Sequence, residues 1–220
     1  MSLNKVCLKF EDTLCDMNYS LIDILNYNEN RLDKLTYLEF EDSGYRIIWD
    51  YPELYEFELS LKNEYILKCF EVLDLVALCK TKILEMLKNY PDIEIYLITE
   101  LDIVFKPQIE SFLYECGLLH YISHIEYNID DDSIAEFIIY NNIDILIEDN
   151  PYIIKEVDFI DNLVVLVRSH SYNENCYNLL RLECYSQLDA LLKRRIKKLN
   201  KNKINKKSNL IIKSEDDCKV

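Results

Sequence analysis

From Ile93 to Arg168 the sequence alternates short apolar runs with segments of helical period, and this alternation constrains the fold more than any other feature. IEIYLIT, Ile93 to Thr99, reads as a strand. Pro107 to Cys116 reads as a helix that Gly117 stops as its C-cap. Tyr121 to Glu126 is a short strand, and Asp132 to Asn141 a helix opened by acidic and serine capping residues. DILIEDN, Asp144 to Asn150, is a strand ending in carboxylates, and Asn162 to Arg168 is another. KVCLKF, Lys5 to Phe10, adds a strand near the start of the chain. Strands that alternate with single helices bury their apolar faces by pairing in parallel, with helices on both sides. The expected fold class is therefore α/β, built on a parallel sheet.

The stretch between the first two strands reads as helical. SLIDILNYNENRLDKL places Leu21, Ile24, Leu25, Leu32 and Leu35 near helical spacing. Asp50-Tyr51-Pro52-Glu53 opens another helix, continued by Leu54, Phe57 and Leu61. Ile66 to Leu87 is a third apolar-periodic region, broken near Cys79–Thr81 and ended by Pro91. The chain is expected to divide into a strand-helix core (residues 1–16 and 88–180) and a helical cap (17–87) inserted after the first strand. A C-terminal amphipathic helix (181–199) carries Leu188, Leu191, Leu192, Ile196 and Leu199 on one face. A basic, flexible tail (200–220) follows.

Composition excludes several functions. With 2 glycines in 220 residues the chain has no glycine-rich loop to cradle a phosphate. A net charge of −15 opposes wholesale nucleic-acid binding. Lys193 to Lys207 is the exception, with nine basic residues and no acidic one. It can contact an acidic partner or nucleic acid, or simply complement its own helix dipole. No apolar run is long enough to span a membrane, and no leader segment is expected. The 8 cysteines form no CxxC pair and read as reduced thiols, which places the protein in the cytoplasm. Cys116, His120 and His124 have a spacing that invites zinc, but Gly117 interrupts the helix this would need and a fourth ligand is missing, so they read as structural.

Three strand ends carry the chemistry: Glu11-Asp12-Thr13, then Thr99, then Glu148-Asp149-Asn150. In a parallel sheet such ends meet in one crevice, where ligands bind. Clustered carboxylates there suit a hard cation such as Mg²⁺, and Glu148-Asp149 can equally cap the helix that follows. His170 follows the last strand, near the mouth of the crevice.

In this order of motifs the sequence resembles the haloacid dehalogenase (HAD-like) superfamily of phosphohydrolases, and within it the 5′(3′)-deoxyribonucleotidase-like branch. NYNENRLDKLTYLEFED, YLIT, DILIEDNP and VVLVRSHSYN carry the likeness, over roughly residues 4 to 178. The resemblance implies a Rossmann-like core, a cap that covers the base of a nucleotide, and a nucleotide or phosphomonoester as ligand. It also implies Mg²⁺ as cofactor if the protein is active. Aligning on Thr13 and Leu14 puts Lys9 at the family's nucleophilic aspartate and Glu11 at its general acid/base. Thr99 matches the phosphate-binding hydroxyl, and Glu148 and Asp149 match the metal-binding acids. The lysine of the third motif has no counterpart, because that region reads Asp130-Asp131-Asp132.

These departures are severe. A protonated lysine neither attacks phosphorus nor ligates a metal. The expectation is a nucleotidase-related HAD-like protein with degenerate motifs, catalytically impaired and acting by binding. Two alternatives stand beside it. One is an active Mg²⁺-dependent 5′-nucleotidase or phosphomonoester hydrolase with a rearranged site that uses Glu11 or Asp12. The other is an interaction protein that uses its basic tail on a polyanion.

Overall fold

The structure is a computed structural model, and it describes residues 5–17, 20–21, 23–24, 59–130, 132–170, 173–174 and 179–193. Most of the expected cap, with Trp49 and the Pro52 helix start, lies outside the described residues, as do Asp131, the helix beyond residue 193 and the basic tail.

Among the described residues, six strands form one parallel sheet. They are β1 (Lys5–Lys9), β2 (Glu94–Ile98), β3 (Ile122–Glu126), β4 (Ile145–Glu148), β5 (Val164–Arg168) and β6 (Leu180–Leu182). Their spatial order is β3-β2-β1-β4-β5-β6, and every neighbouring pair is parallel. Successive strands step outward from β1 on one side, and the chain then crosses back to pair β4 against its other edge. The reversal falls between β1 and β4, where an open α/β sheet leaves a crevice beyond its carboxyl ends. This is the expected Rossmann-like α/β fold.

Alternating side chains divide the core into two layers. Val6, Leu8, Ile95, Leu97, Ile145, Ile147, Val164 and Leu166 face one cluster, and Cys7, Tyr96, Ile98, Leu146, Val165 and Val167 face the other. The first layer is covered by α2 (Cys79–Asn89) and α3 (Lys106–Glu115). α2 buries Cys79, Ile83 and Met86 there, and α3 buries Ile109, Phe112 and Leu113. The helix before them, α1 (Leu59–Val72), meets the same layer through Phe70, whose ring lies 6.1 Å from that of Phe10. The second layer is covered by α4 (Ile134–Asn141) and α5 (Pro151–Val157). No helix among the described residues is long and apolar enough to cross a membrane.

Two local expectations need correction. The break in the third apolar region falls at residues 73–78 rather than at 79–81, with Leu78 in the left-handed region at φ 64°. Cys79 to Thr81 instead begins α2, because the buried Cys79 anchors that helix to the core. The segment read as helix from residue 181 opens with β6, a strand absent from the sequence reading. Helix resumes at 188–193, after a 3-10 turn at Tyr185–Gln187. Three residues are too few to show a period; pairing with β5 decides their conformation, and the Arg181 guanidinium secures it by donating to Ser169 Oγ and Asn173 Oδ1.

Candidate functional site

β1, β2 and β4 are adjacent, so their carboxyl ends converge. Lys9 is the last residue of β1, pairs in register with Ile98 and lies on the same sheet face as Cys7. Glu148 ends β4 on that face too, two residues beyond Leu146. Both side chains are therefore carried into the crevice by the pleat, and both are buried.

Lys9 occupies the middle of a carboxylate cluster. Its Nζ lies 2.9 Å from Glu100 Oε1, 3.6 Å from Glu148 Oε1 and 3.6 Å from Asp149 Oδ1. Burial alone would lower its proton affinity, but Asp149, Glu100, Glu148 and Glu11 outweigh burial and hold the ammonium well above its ordinary pKa. Lys9 is a charged internal cation.

The chain then turns sharply. Leu14 and Cys15 both donate backbone N–H to Phe10 O, and Asp12 adopts φ 53°, a conformation that aspartate tolerates. The turn sends Glu11 toward β2. There Glu11 Oε1 accepts from the Thr99 hydroxyl and, at 3.1 Å, from the Glu100 amide. The Thr99 hydroxyl in turn accepts from Leu101 N at 3.1 Å. Two donors at the end of β2, a hydroxyl and an amide, thus converge on one acceptor, and that acceptor is the protein's own Glu11 carboxyl oxygen. Burial pushes Glu11 up to about 7 against the opposing pull of Lys9. Glu148 is also pushed well above the usual carboxylate range, chiefly by burial and against the same pull.

The end of β4 is held by its own backbone. Glu148 Oε1 accepts from the amides of Asp149 and Asn150, both at 2.9 Å. Asn150 Oδ1 accepts from Tyr152 N and caps α5, where Pro151 has no N–H that would need an acceptor. Its Nδ2 donates to Glu100 Oε1 at 3.0 Å. Asp149 Oδ1 accepts from the Thr13 hydroxyl at 3.1 Å, which ties the β1 turn to β4.

Every expected site residue thus lies in one connected network: Lys9, Glu11, Thr13, Thr99, Glu148 and Asp149. Sequence reading missed Glu100, the carboxylate nearest Lys9, although it directly follows Thr99 and the same strand-end logic points to it. It also missed three supports. Asn173 donates to Asp149 O and Arg168 O, both at 2.8 Å. Arg181 holds Asn173, and the buried Tyr185 donates its hydroxyl to Thr13 O at 2.9 Å. The contacts to Asp149 and Thr13 span 24 and 172 residues, and no local pattern announces them. Of the other residues singled out, His170 sets Nε2 against Asp12 O at 3.2 Å. His124 pairs with Glu126, and His120 lies against the ring of Tyr121. Asp130 accepts from Ser133 N in the turn before α4.

The donor set suits a hard divalent ion in type but not in arrangement. The acids are present, yet the Lys9 ammonium lies among them, and no group of three or more acidic, histidine or cysteine side chains among the described residues is arranged to hold a metal. The residues do not fit Mg²⁺.

No family model matches the sequence, and no curated protein does. Solved structures share the fold. A predicted phosphatase from Clostridium acetobutylicum superposes with a TM-score of 0.61 at 18% identity, covering 87% of this chain and 99% of that one. A haloacid dehalogenase-like hydrolase from Streptococcus pneumoniae gives 0.61 at 11% identity, with the same coverage. CbbY from Rhodobacter sphaeroides, solved with phosphate, gives 0.59 at 11% identity and covers 84% of this chain and 96% of that one. At these identities the likeness is one of fold.

Proposed function

We propose that this chain is a nucleotidase-related, HAD-like protein that has lost phosphohydrolase chemistry and acts by binding. One observation carries the reading. The side chain at the end of β1, where the resembled enzymes place their attacking carboxylate, is a buried ammonium paired with Glu100, Glu148 and Asp149. An ammonium offers no lone pair to phosphorus. The other groups that hydrolysis would need are occupied, since Glu11 and the Thr99 hydroxyl bind each other. The absence of a third-motif lysine, at Asp130 to Asp132, agrees with this reading.

Phosphate release from a panel of nucleoside monophosphates and a generic aryl phosphate, with millimolar Mg²⁺, tests it. The expected rate is indistinguishable from the buffer blank. Turnover that disappears in Glu11→Gln would instead establish the rearranged hydrolase. Lys9→Asp, alone and combined with Asp132→Lys, asks whether the scaffold still supports the lost chemistry. A gain of phosphate release in the double variant would support descent from such an enzyme.

A further inference from the structure

The carboxylates around Lys9 are arranged like ligands around a cation, and the cation is part of the chain. Three oxygens on three residues from two strand ends approach Nζ within 3.6 Å, and Lys9 is 1% exposed. The cluster holds more buried oxygen than one ammonium satisfies. Glu148 Oε2 and Glu11 Oε2 are both buried and make no hydrogen bond among the described residues. Unpaired buried carboxylate oxygens are costly, and a cation with a higher coordination number would satisfy them. A hard divalent ion takes six or more oxygens at about 2.0–2.6 Å, so it would draw these groups inward from where the ammonium holds them. Such an ion and the Lys9 ammonium cannot share the space, because their charges repel at contact distance in a buried site.

We propose that Lys9 is a tethered counter-ion that closes the crevice to divalent cations, and that shortening its side chain opens a divalent-cation site made by Glu100, Glu148 and Asp149, with Glu11 beside them. Loss of hydrolysis is not a premise of this proposal, which would stand even if the protein proved to be an active, metal-independent hydrolase.

The test follows unfolding of the full chain, with Mn²⁺ binding measured directly by paramagnetic resonance. Wild type, Lys9→Ala, Lys9→Gln and Lys9→Ala/Asp149→Asn are compared in EDTA and in Mg²⁺, Mn²⁺ or Ca²⁺. Wild type should show no saturable Mn²⁺ binding and no shift in Tm. Lys9→Ala should unfold at a lower temperature in EDTA and recover by about 5 °C at one hundred times its dissociation constant for the ion. Adding Asp149→Asn should abolish that recovery. If Lys9→Ala folds only when a divalent ion is present, the proposal is supported. Stoichiometric Mn²⁺ binding by wild type that Asp149→Asn removes would overturn it. So would the absence of saturable Mn²⁺ binding in both Lys9→Ala and Lys9→Gln.

Discussion

β1 begins and ends with a lysine, and the two differ in nearly everything but chemistry. Lys5 lies at the amino end with its side chain 25% exposed, 3.9 Å from Glu94 Oε2. Its Nζ donates to Asn141 O at 2.9 Å and sits 5.0 Å above the ring of Tyr96. Water shares the work of solvating that charge. Lys9, at the carboxyl end, is enclosed, and protein groups, Glu100, Glu148 and Asp149 among them, must do that work instead. The same residue is a partly exposed charge at one end of the strand and the buried centre of a carboxylate cluster at the other. Burial, not residue type, decides which.

Substitutions that spare or break each network test this contrast. Lys9→Met should have the largest effect, a loss of about 3–5 kcal/mol in chemical denaturation, because it strands buried carboxylates without a counter-charge. A loss below about 1 kcal/mol would place Lys9 with Lys5 as a surface charge.

Glu11 sharpens the comparison through pH. Its folded value of about 7 lies above the ordinary 4.5, so the folded chain holds a proton that the unfolded chain releases. The stability it contributes is full below about 4.5 and is lost as pH rises through about 7. Glu11→Gln, which stays neutral, should therefore be less pH-dependent than wild type across that window, by about 3 kcal/mol. Equal slopes for the two proteins would refute the assignment.

Thr99→Val removes one of the two donors that hold Glu11 and should cost about 1.5 kcal/mol. The smallest change is expected from Lys5→Met, within about 0.5 kcal/mol and fading with added salt. A larger, salt-insensitive loss there would erase the distinction between the two ends of the strand.

The strand-helix alternation was legible because β1, β2, β4 and β5 are long enough to show an apolar run, and turn or capping residues bound them. β6 was not legible. Leu180-Arg181-Leu182 is compatible with either regular structure, and only an open edge on β5 makes it a strand. The candidate site was half legible. Lys9, Glu11, Thr13, Thr99, Glu148 and Asp149 could be named because strand ends in a parallel sheet must converge. Glu100 was passed over beside Thr99, and Asn173 and Tyr185 reach Asp149 and Thr13 across 24 and 172 residues.

The sequence by itself determined the parallel sheet, the strand ends that meet in the crevice, and the lysine at the end of β1, since periodicity and residue identity are local properties. Only the tertiary structure decided what that lysine does. Whether an ammonium faces water or a ring of carboxylates depends on how β2 and β4 flank β1. It also depends on the turn at Asp12, which folds Glu11 onto Thr99. Desolvation belongs to the assembled crevice, and no stretch of chain carries it alone.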